Sequence, residues 1–157
     1  MTLAPRLVAD LFDLARQSLE GAEDALRRKN YLNAVIETQR AVEYSTKAAL
    51  VAVGVGPGRQ HDTSPVLRSA LRTHKFPAAY SAKVLGWASA STDIEGVREV
   101  ASYPDAQGAV SRDQLVDPDE AGRFVEMAKD VYEGVGQLLR SLSVEDPTAE
   151  GKHPRRE

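Results

Sequence analysis

The chain contains no cysteine, which removes disulfide stapling, thiolate catalysis and every cysteine-based zinc site. Three scattered histidines leave too little for another kind of transition-metal site, so neither a metal nor a cofactor is expected. No run of 18 uninterrupted apolar residues exists to span a bilayer. Arg6 and Asp10 interrupt what would have to be the apolar core of a signal peptide, so no membrane association is expected and the expected location is the cytoplasm. What is present is 157 residues, 42% hydrophobic and 27% charged, enough for one domain that buries roughly two thirds of its unfolded surface.

The net charge of −3 conceals an asymmetry. Residues 1–75 hold 11 basic against 8 acidic groups, and residues 76–157 hold 9 against 15. The basic excess concentrates at Arg59, Arg68, Arg72 and Lys75, with His61 and His74 nearby and Asp62 as the one acid. Without interleaved aromatics these cations read first as a solvated loop and short helix, short of a nucleic-acid footprint.

Apolar residues recur at three- and four-residue steps from Pro5 to Lys29, which predicts an amphipathic helix. Asn30 alone separates it from a second helix, about Tyr31 to Val53, so the two must pack antiparallel as a hairpin. The second helix carries a stripe of small side chains, Ala34, Thr38, Ala41, Ser45, Ala48 and Ala52, that admits a close neighbour. Gly54 suits a C-terminal cap, and a loop of roughly ten residues through Gly56-Pro57-Gly58 runs to Thr63. Ser64 as N-cap and Pro65 as first helical residue open a short connector helix. From Pro77 a longer helix puts Tyr80, Val84, Trp87, Ser91, Ile94, Arg98 and Ala101 on one face. Gly86, Gly96 and a Thr92/Glu95 capping-box pattern weaken that helix, and a single kinked helix is the favoured reading. Tyr103-Pro104-Asp105 ends it, and Ala106 to Val116 reads as loop. Asp117 as N-cap, Pro118, and acids at 119 and 120 start a last helix whose stripe runs from Ala121 to Leu142. These elements predict an all-α fold, an antiparallel up-and-down four-helix bundle with a short extra connector helix over residues 1–143. A disordered tail is expected at 144–157.

Tyr31-Leu32-Asn33-Ala34-Val35, then Arg40 to Leu50, a Gly-rich loop, His61, a helix ending Arg98-Glu99-Val100-Ala101-Ser102-Tyr103-Pro104-Asp105, and a final helix with an acidic cap together resemble the HEPN (higher eukaryotes and prokaryotes nucleotide-binding) domain family. The resemblance spans about residues 5–142. It implies a small helical bundle, a homodimer, and a nucleotide- or RNA-linked role. It also implies either binding to a minimal nucleotidyltransferase partner, as in toxin–antitoxin pairs, or an RNase activity. RNase members carry an Arg, four to six residues, then a His, which pairs a phosphate-holding cation with a proton shuttle. Here Arg98 is followed after four residues by Tyr103, and a phenol is a poor general base at neutral pH. Arg68 and His74 match the spacing formally, but on the connector helix, and with 14 Arg chance alone supplies about one such match.

No P-loop is present, because Gly54, Gly56 and Gly58 lack the Lys-Ser/Thr that follows one. Arg98 shares the stripe of Trp87 and Ile94, where a charge needs a partner such as Glu43, a helix-end carbonyl or an anion. Glu43 and Lys47, spaced i, i+4, read first as a surface ion pair. His61, in a flexible basic loop, could meet a phosphate but reads first as an exposed loop residue. Tyr31, Tyr44, Tyr80 and Tyr103 read first as packing groups. Arg98, Tyr103, Lys47, Glu43 and His61 are therefore the candidates for ligand or anion contact, and none is assigned a catalytic role. The favoured expectation is a non-catalytic, homodimeric HEPN-like domain binding a nucleotide, RNA or a nucleotidyltransferase. The alternatives are an RNase toxin and a purely structural dimerisation module.

Overall fold

The computed structural model describes residues 4–102 and 116–145, and side chains at 4–97 and 116–143. Five α-helices carry the described residues: α1 (Ala4–Arg27), α2 (Tyr31–Ala52), α3 (Ser64–Arg72), α4 (Ser81–Ser102) and α5 (Pro118–Glu145). A 3-10 turn, Ala78–Tyr80, leads into α4, and no strand occurs among the described residues. This is the expected all-α bundle, with α1, α2, α4 and α5 as its long members and α3 as the connector.

The α1–α2 hairpin turns within three residues. Lys29 adopts φ 59°, which lets the Asn30 N–H donate back to Ala25 O at 2.9 Å and closes α1. Asn30 then caps α2, its side chain accepting from the Asn33 N–H at 3.3 Å. Small residues face each other across this pair: Ala22 and Ala25 meet Ala34, while Ala48 packs with Leu11. The small-residue stripe of α2 thus does what its side-chain volumes dictate. At the far end of α2, Gly54 sits at φ 81°, with Gly54 N donating to Val51 O and Val55 N to Leu50 O, a complete Schellman cap.

One sequence expectation needs correction. Ser64 is not the N-cap of α3: Thr63 occupies that place, and the Ser64 N–H is taken by the Asp62 carboxylate at 2.9 Å. The favoured reading of one helix through Thr92 and Glu95 holds, since α4 runs unbroken through them and the Thr92 hydroxyl donates back to Ala88 O at 3.2 Å. Asp117 caps α5 as its position implies, accepting from the Asp119 N–H.

The core is built from Val35, Val42 and Leu50 of α2, Leu67 of α3, Val84, Trp87 and Ile94 of α4, and Val131, Val135 and Leu138 of α5. Phe76 meets the Trp87 ring edge-on at 6.4 Å, and Phe12 stacks on Tyr132 at 4.5 Å, tying α1 to α5. Tyr31 and Tyr80 pack against this core and Tyr44 against the Leu11 cluster, the packing role expected of them. Tyr103, the loop expected at 106–115 and the tail from 146 lie outside the described residues.

Candidate functional site

Glu43 sits midway along α2, where its neighbours Val42 and Ser45 are core, and its side chain is only 7% exposed. It is not the surface ion-pair member that its spacing from Lys47 suggests. A carboxylate taken out of water must be hydrogen-bonded or paired, and two groups meet that need. The Lys47 ammonium, itself 12% exposed, donates to Oε1 at 3.1 Å from one turn along α2. The His61 ring arrives from the α2–α3 loop, with Nδ1 at 2.8 Å from Oε1 and 3.3 Å from Oε2. An ionised carboxylate accepts only, so Nδ1 carries the proton, and Nε2 has no hydrogen-bond partner among the described residues. His61 stays 57% exposed, reachable by a ligand yet held by Glu43.

The loop that delivers His61 is anchored rather than free. Asp62 accepts from both the Ser64 N–H and the Ser91 hydroxyl of α4, at 2.9 and 3.1 Å. The Thr63 N–H donates to Ser91 Oγ at 3.0 Å, and the Thr63 and Thr46 hydroxyls lie 2.8 Å apart. Thr46 in turn bonds back to Val42 O and Glu43 O. Thr46, Thr63 and Ser91 are all buried, so this network pins residues 62–64 to α2 and α4 in low dielectric, where each bond resists opening. None of Thr46, Asp62, Thr63 or Ser91 was a sequence candidate. The available signals were Ser91 as a polar residue on the apolar stripe of α4, and Asp62 two residues before a helix start.

Beside this cluster an open cleft of about 610 Å³ runs along α2. Glu43, Tyr44, Gln39, Arg40 and His61 line it, with Gln17 and Gly21 across from them on α1. Across from Gly21, where a Cβ would make ordinary contact at 3.5 Å, the Glu37 side chain pairs with Arg40 at 3.0 Å. Farther along α1, exposed Asp13 has its carboxyl held below the usual range, first by hydrogen bonding from Arg16 and then from Gln17.

Of the five candidates the fold unites Glu43, Lys47 and His61. Arg98 belongs to α4, but its side chain, like all of Tyr103, lies outside the described residues. Arg68 is exposed on α3, and His74 is exposed just past its end at φ 56°, apart from the cluster. Among the described residues no group of three or more His, Cys, Asp or Glu converges to hold a metal ion, and no helix is long and apolar enough to cross a membrane.

The model of the HEPN domain matches residues 8–138. The chain belongs to the HEPN domain family. Neither a curated protein nor a solved structure is significantly similar to it. In this HEPN domain, then, the helical core displays a buried carboxylate that holds an imidazole at the edge of an open cleft and an ammonium from the next turn of α2.

Proposed function

We propose that this HEPN domain is a non-catalytic binding module that takes the phosphate group of a nucleotide or RNA at the Lys47–His61 cluster. The observation that carries the reading is the pinning of both groups on buried Glu43. Lys47 has three donors and spends one on Glu43, and His61 keeps Nε2 for a partner from outside, so both present preorganised hydrogen-bonding capacity to an anion. Preorganisation lowers the entropic cost of binding. Arg98 and Tyr103 are proposed to complete the anion site. The domain is further proposed to be a homodimer that engages a minimal nucleotidyltransferase, within a toxin–antitoxin pair, in the cytoplasm.

A thermal-shift series with ATP, GTP, AMP, short single-stranded RNA and sulfate, run beside gel analysis of the RNA, tests this. A ligand at 100 times its Kd adds about 2.7 kcal/mol, a rise of roughly 5–10 °C for a domain of this size. The rise is expected to vanish in Lys47→Ala and His61→Ala with the RNA intact; no rise with any ligand refutes binding. The RNase reading retains one supporting observation. A carboxylate-held imidazole is the arrangement in which a histidine transfers protons, and RNA cleavage lost in His61→Ala would establish it.

A further inference from the structure

Gln39 lies one turn before Glu43 on α2 and is 4% exposed, yet it lines the cleft. Its side-chain amide makes no hydrogen bond to any described residue, while buried Glu43, Thr46, Thr63 and Ser91 nearby are all bonded. The hydroxyls of Thr38 and Ser45 also lack partners, but they are sealed in the interior and face no ligand space. An amide at a cleft wall with no protein partner keeps its donor and its acceptor for a ligand.

An amide presents one donor and one acceptor side by side. Adenine offers the complement on its N6/N7 edge, whereas guanine offers two acceptors there, N7 and O6. Tyr44, which also lines the cleft, has an aromatic ring on which a base can stack, and purines present the larger face. A cleft of about 610 Å³ is of the size that holds a small ligand. We infer that this cleft reads the base of its nucleotide, and that the Gln39 amide makes it prefer adenine. The inference rests on the nucleotide-binding reading above. It makes Gln39 a specificity-determining residue, distinct from the phosphate-facing Lys47 and His61.

Isothermal titration of the full chain with AMP, GMP, CMP, UMP and inorganic phosphate tests it. AMP is expected to bind about tenfold or more tightly than GMP, the discrimination of one bidentate amide–base pair. Gln39→Leu, similar in volume, is expected to bring AMP within about twofold of GMP while leaving phosphate affinity unchanged. If Gln39→Leu fails to melt cooperatively, Gln39→Met, unbranched like glutamine and without the amide, carries the same expectation. Equal affinities in the wild type, a preference for GMP or a pyrimidine, or a preference surviving both substitutions overturns the inference while leaving phosphate binding in place. Absence of binding by all four nucleotides and phosphate overturns both readings together.

Discussion

Ser91→Ala is the most informative single perturbation of the scaffold. Ser91 Oγ accepts from the Thr63 backbone N–H at 3.0 Å and donates to Asp62 at 3.1 Å, in a residue 4% exposed. Removing the oxygen leaves a buried N–H unsatisfied, which costs about 1–3 kcal/mol, and deletes a bond to a carboxylate worth about 1.5 kcal/mol. Asp62 keeps the Ser64 N–H, so its own desolvation is not added. The total is about 2.5–4.5 kcal/mol, a fall in Tm of roughly 5–18 °C for a domain of this length. Ser89→Ala is the matched control, because Ser89 is exposed on the same helix and gains the same helix propensity from alanine. Calorimetry of both variants measures the difference, and hydrogen exchange at residues 62–64 reports the loosened loop. Melting of Ser91→Ala within about 0.5 kcal/mol of Ser89→Ala would refute the claim that this network holds the His61 loop.

Other substitutions test separate parts of the account. Gly122→Ala meets nothing within 4 Å and is expected to stabilise α5 by about 0.5–1 kcal/mol in denaturant unfolding. Gly134→Ala places a Cβ 3.1 Å from the Trp87 indole nitrogen, so it is expected to fall short of that gain by about 1 kcal/mol or more; equal effects would contradict the packing. Lys29→Gly relieves a left-handed backbone at φ 59° and is expected to raise stability by about 1 kcal/mol, whereas a loss would show that the side chain matters more than the strain. Asp13 is predicted to titrate below the ordinary aspartate value because the Arg16 and Gln17 hydrogen bonds favour its charged form. Its small contribution to stability is therefore present above the unfolded value of about 3.9 and is lost as pH falls through the folded one. A carboxyl-carbon NMR midpoint at or above 3.9 would count against that.

The fold was legible because its determinants are local. Stripes at helical spacing, the one-residue break at Asn30, Gly54 and the Asp117-Pro118 start each act within a turn or two of chain. The site was legible only in its members. Glu43 and Lys47 have the spacing of a solvent-facing pair, and nothing nearby in sequence says that a loop 18 residues on will cover them. The His61 loop looked mobile because its glycines are visible in sequence, whereas its anchors, Thr46, Thr63 and Ser91, are ordinary hydroxyl residues united only by tertiary structure. Ser64 reads as the cap in sequence, although Thr63 holds that place, for a related reason. Asp62 supplies the capping oxygen two residues upstream, and a Thr-Ser-Pro start offers two plausible cap residues to the eye.

The account rests most heavily on the cluster held by Glu43 being where a nucleotide docks. Titrating AMP into the ¹⁵N-labelled chain and following amide and His61 ring shifts tests that directly. The prediction is saturable shifts at His61, Lys47, Tyr44 and Gln39, with residues of the groove between α4 and α5, such as Trp87 and Gly134, unmoved. Saturable shifts confined to the Trp87 groove, or none at millimolar AMP, would contradict it.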